Sequence, residues 1–142
     1  MTNMTFLSII DTLTGAESSA KILISALLAI LFLQSGIDKV TDWKGNLGWL
    51  TGHFGNSPLK NMVPLLLGTI TIFEIASGVL SAVGIVFLFT SDDATFALYG
   101  AQLSALSIIM LFFGQRIAKD YPGAASLVPY FLVCIAGIMI LG

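Results

Sequence analysis

From Pro64 to Phe89 the chain reads PLLLGTITIFEIASGVLSAVGIVFLF, an apolar run whose only ionisable residue is Glu74. As a helix rising about 1.5 Å per residue, it is long enough to cross a hydrocarbon core of roughly 30 Å. Glu74 then lies near the bilayer midplane, where a charged carboxylate costs roughly 2.5–3.5 kcal/mol on insertion scales. Such an acid has to be neutral, paired, or turned toward a wet or ligand-filled cavity.

The rest of the chain agrees with this setting. Its 142 residues are 56% hydrophobic and only 10% charged, with a mean hydropathy of +0.96. A soluble domain carries about a quarter charged residues, so this surface belongs in lipid. Four apolar segments stand out, at about 21–38, 63–89, 94–114 and 124–141. Backbone polar groups must be satisfied inside the segment in lipid, so these are helices rather than strands. The expectation is one all-α integral membrane domain over residues 1–142, a four-helix transmembrane bundle with a long interfacial first connection.

Before the first span, Phe6, Leu7, Ile10 and Leu13 share one side at helical spacing. This stretch reads equally as a helix lying on the membrane surface and as a frayed tail. With no early basic residue, and with Asp11 and Glu17 ahead of the apolar run, it does not read as a secretory signal. The first connection, Val40 to Met62, spaces Trp43, Trp49 and Phe54 among glycines and polar residues. Tryptophan favours the headgroup level, so the stretch reads as a loop along the interface with room for one helical turn. Its length points to a lid over the bundle mouth. Asp92 or Ser91 suits the N-cap of the third span, and Tyr121-Pro122-Gly123 turns the chain into the fourth.

Small residues recur at four-residue spacing: Gly78 and Ala82 in the second span, with Ser77 and Ser81 beside them, and Ala97, Ala101 and Ala105 in the third. Such faces let helices approach closely. Five of the six Lys and Arg residues lie in the first and third connections, as Lys39, Lys44, Lys60, Arg116 and Lys119. The positive-inside rule therefore puts those connections in the cytoplasm and the termini outside.

Glu74 has a short roster of companions. Lys39 ends the first span, with Asp38 beside it and Gln34 about a turn deeper; Gln102 lies within the third span and Arg116 at its far end. Lys39, Asp38 and Arg116 come to one level, a polar funnel with Glu74 deeper. There Gln34, Asp38, Lys39, Gln102 and Arg116 are the candidate ligand-binding residues and Glu74 the candidate proton-exchanging acid. The plainer alternative is a neutral Glu74 hydrogen-bonded to Gln34 or Gln102, and an interfacial Asp38–Lys39 ion pair. His53 is the only histidine and Cys134 the only cysteine. A metal centre needs several ligands at suitable spacing, so no metal is expected, nor a dithiol mechanism within this chain. Cys134 reads as a small buried apolar residue, and no basic patch suits nucleic acid.

Two stretches carry a family resemblance. LLAILFLQSGIDKVTDW, Leu27 to Trp43, resembles the first-span signature of the DoxX family, and FEIASGVLSAVGI, Phe73 to Ile85, its second span. The matching positions are Gly36, Lys39, Glu74, Gly78 and Gly84. The resemblance implies a small four-span protein of the bacterial cytoplasmic membrane. It also implies a link to thiosulfate:quinone oxidoreductases, hence an accessory subunit that binds a quinone or other lipophilic molecule. Electrons would come from a partner membrane or peripheral redox protein. The wider superfamily is similar to the sigma-2 receptor group, which implies a second reading, a carrier or binding protein for a small apolar or cationic solute, with Asp38 and Glu74 as counter-charges. A third is a membrane scaffold, alone or as an oligomer. No covalent cofactor and no self-contained catalytic site is expected.

Overall fold

The computed structural model describes residues 2–142, with side chains from Phe6 onward. Among the described residues the chain forms helices only: α1 (Thr2–Thr14), α2 (Ala16–Thr41), α3 (Trp43–His53), α4 (Val63–Ser91), α5 (Thr95–Ile117), α6 (Tyr121–Ala125) and α7 (Val128–Leu141). Four stretches are long and apolar enough to span a membrane: α2, α4, α5 and the α6–α7 segment, Tyr121–Leu141. The chain is an all-α membrane protein built as a four-helix bundle.

Glycines set how these helices meet. A Cβ on Gly36 would fall 2.6 Å from the Ile75 side chain, and one on Gly78 2.7 Å from the Leu33 backbone nitrogen. Numbers that rise on α2 while falling on α4 mark an antiparallel pair. A Cβ on Gly84 would fall 2.5 Å from the Ala97 backbone, and one on Gly100 would run into Ser81, which makes α4 and α5 antiparallel as well. Ala97, Ala101 and Ala105 are all buried, so the small-residue faces lie inside the bundle. On the far side of α5, Gly137 of α7 faces Ile24 and Ala101.

The dry core, including Leu28, Phe32, Leu88, Ala101, Ile108 and Cys134, runs from mid-depth toward the end where α4 stops and α5 begins. Leu23, Ile30, Leu65, Ile72, Leu132 and Met139 point outward, each more than 60% exposed. A water-soluble bundle would hide such residues; a bilayer is the solvent that accepts them.

Several boundaries differ from the sequence expectation. α2 runs beyond the apolar 21–38 stretch at both ends; it begins at Ala16, close to the Glu17-Ser18-Ser19 opening that the sequence offers, and Glu17 in its first turn complements the helix dipole. α3 is a full eleven-residue helix and not a single turn. α1 is helical, and its Phe6, Leu7, Ile10 and Leu13 are all exposed, an apolar side free to lie on a membrane surface. The fourth span is broken after Ala125, where Pro129 starts a new helix without an amide proton to give back to the preceding turn. Between α4 and α5, Asp92 does not cap the third span: it closes α4 in the left-handed conformation, at φ 52°. The side chain that ties the start of α5 is Asp93, whose Oδ1 accepts from the Thr95 amide at 2.9 Å and from its hydroxyl at 2.6 Å. Those bonds hold the Asp93 carboxyl below its ordinary value.

Candidate functional site

Glu74 is 1% exposed and among the largest fully buried side chains. Its place on α4 lies roughly 16 Å along the helix from Val63. Lys39, in the last turn of α2, bends inward so that its Nζ stands 3.0 Å from Glu74 Oε1. The same Nζ donates to Ser35 Oγ at 2.8 Å, one helical turn back. The contact with Glu74 is an ion pair by distance but is not aligned as a hydrogen bond, and Oε2 has no partner at all. The pair is neutral in sum, yet the carboxylate is under-bonded. An under-bonded buried acid is costly unless something else completes it.

On the other side of Lys39 lies a cavity of about 390 Å³, within the size range of small-molecule pockets. α4 lines it with Leu66, Leu67, Thr69 and Ile70. α5 contributes Ile109, Met110, Leu111, Phe113, Gly114 and Gln115. Its roof is the α3 segment with the turn that follows, through Leu50, His53, Phe54 and Leu59. The walls are almost wholly apolar; the exceptions are Lys39 in one wall, Thr69 between, and His53 with Gln115 under the roof.

The roof is fastened by specific contacts. With the proton on its Nε2, His53 donates to Gln115 Oε1 at 2.6 Å. Asp120 Oδ2 stands 3.6 Å from the same nitrogen. The imidazole stacks on Trp49, centroids 4.6 Å apart and planes 16° from parallel, and meets Phe54 edge-on. Phe54 is buried, and the Trp43 ring reaches over Gly68 of α4. α3 therefore lies across the end of the bundle from which Lys39 enters.

The other candidates named from the sequence lie elsewhere. Gln34 and Asp38 are exposed on the outer side of α2, and Gln102 is exposed on the outer side of α5. Arg116 sits over the Tyr121 ring, 4.5 Å from its centroid. Lys39 and Glu74 come together; Gln34, Asp38, Gln102 and Arg116 do not join them. Sequence reasoning missed His53 and Gln115 as cavity residues, since they are far apart in the chain and meet only once α3 folds back onto the end of α5.

No protein-family model, no curated protein and no solved structure matches this chain.

Proposed function

We propose that this membrane protein holds a lipophilic molecule with a hydrogen-bond-accepting head, a quinone in the first instance, in the cavity under α3. The observation that carries this reading is an apolar chamber with one ammonium, Lys39, in its wall and a buried, under-bonded carboxylate behind it. An apolar tail or ring is matched by the α4 and α5 walls, and a carbonyl oxygen by the Lys39 Nζ. Glu74, 3.0 Å behind that nitrogen, forms the proton-exchanging element with it. The two electrons of a quinone reduction come from a partner redox protein, which makes this chain an accessory subunit of a membrane oxidoreductase. The resemblance to DoxX proteins supports the same reading, since Lys39 and Glu74 are among the positions that carry it. By the distribution of Lys and Arg, the α3 end faces the cytoplasm.

The position of Lys39 also bears on the carrier alternative. A cationic solute would meet the ammonium before it met Glu74, so an acceptor is the better match and an amine the worse one.

A short-chain quinone titrated against the purified protein tests this, read by quenching of tryptophan fluorescence, Trp49 being stacked on the roof histidine. Saturable quenching is expected, with at least tenfold weaker affinity in Lys39→Met. Quenching that is non-saturable, or unchanged in that variant, refutes the assignment.

A further inference from the structure

Gln102 raises a separate question. It lies on α5 roughly 10 Å along from Thr95 at the usual helical rise, within a helix long and apolar enough to span a membrane, and it is exposed. The side-chain hydrogen bonds along this part of α5 belong to Ser104 and Ser107 on the buried side, not to Gln102. Its surroundings are a shallow groove between α4 and α5 lined by Leu80, Tyr99, Leu103 and Leu106. An amide in lipid with nothing to bond is unfavourable, and partnering it across helices is the usual remedy.

The pattern around it is specific. Tyr99, Gln102, Leu106, Ile109 and Phe113 alternate by three and four residues, and the four flanking members are 45–59% exposed. That is the spacing of a helix–helix seam, in which one polar residue fixes register and the number of strands. An amide is donor and acceptor at once, so it is complementary to a copy of itself. Two copies inserted the same way up are related by an axis along the membrane normal, which brings each α5 residue to the depth of its own counterpart.

From this juxtaposition we propose that the protein forms a two-fold dimer in the membrane through the α5 seam, with Gln102 of each copy hydrogen-bonded to Gln102 of the other. Ile109 and Phe113 belong both to this seam and to the wall of the α3 cavity, so the second copy adjoins that chamber. The dimer does not depend on what the cavity holds.

The test uses the full chain in native membranes in a Cys134→Ala background, the natural cysteine being buried. Oxidation is expected to link Leu106→Cys into a homodimer and to leave Ile72→Cys, on the lipid face of α4, as monomer. In reconstituted bilayers, Gln102→Leu is expected to weaken dimerisation roughly tenfold, the scale set by two hydrogen bonds between membrane helices. Gln34→Leu is expected to leave it unchanged. Leucine is at home on a lipid face, so folding is not at issue. The proposal is overturned if Leu106→Cys links no better than Ile72→Cys or links only to a different protein. It is also overturned if Gln102→Leu dimerises like the parent, or if Gln34→Leu weakens the dimer equally, which would mean a head-to-tail contact.

Discussion

Removing Lys39 alone should cost far more than removing both partners of the Lys39–Glu74 pair. At 3.0 Å, two unit charges attract by roughly 5–6 kcal/mol at an effective dielectric of 20. Desolvation of each ion, several kcal/mol, offsets much of that. The net worth of the pair is therefore small, but an orphaned partner is not. In Lys39→Met the carboxylate stays 1% exposed with neither oxygen hydrogen-bonded, and a loss of about 3–5 kcal/mol is expected. In Glu74→Gln the ammonium keeps Ser35 Oγ at 2.8 Å and can turn toward the cavity, so the loss should be nearer 1–2 kcal/mol. The double variant leaves no buried charge and should lie within about 1–2 kcal/mol of the parent, a coupling on the order of 3 kcal/mol. The assay is reversible unfolding in mixed micelles, followed by tryptophan fluorescence, with all four proteins compared at one pH. Additive losses would refute the reasoning, because they would mean that the two groups do not sense each other's charge.

Gly84→Ala would push a methyl to 2.5 Å from the Ala97 backbone and should destabilise by about 1–3 kcal/mol, whereas Gly48→Ala, with open space around it, should not; equal melting temperatures for the two would contradict the packing account. His53→Ala removes the bond to Gln115 and the stack on Trp49, so amide exchange across α3 should speed up severalfold while α5 stays protected. Asp93 has a lowered folded-state pKa, so its contribution is present above the ordinary carboxylate range and is lost as pH falls through the lowered value. Asp93→Ala should remove that acid-dependent part of the melting curve and leave the neutral-pH slope untouched.

The spans were readable from the sequence because hydrocarbon imposes length and composition directly, as the Pro64–Phe89 run shows against α4 at Val63–Ser91. What α3 does was not. Gly45, Gly48 and Gly52 lower helix propensity, and the stretch reads as loop until Trp43 and Phe54 find surfaces to cover. Glu74 was conspicuous as a lone acid, and Lys39 was within reach of it. Which way Gln34 and Gln102 point depends on helix rotation. That rotation is set by where Gly36, Gly78, Gly84 and Gly100 allow backbones to meet, which only the packed bundle displays. Likewise the His53–Gln115 contact joins residues 62 apart in the chain, beyond any local spacing rule.

Native mass spectrometry of the protein released gently from its own membranes tests the central claim most directly, with Gly114→Phe as the comparison. Gly114 lines the cavity beside Phe54 of the roof, where a Cβ would meet that ring at 3.4 Å, so a phenyl group there takes up chamber volume from the α5 wall while leaving Lys39 and Glu74 in the sequence. The account predicts a stoichiometric lipophilic adduct, identified as a quinone on extraction, that is lost in Gly114→Phe. A protein that arrives empty, that carries only bulk phospholipid, or whose adduct survives in Gly114→Phe contradicts it.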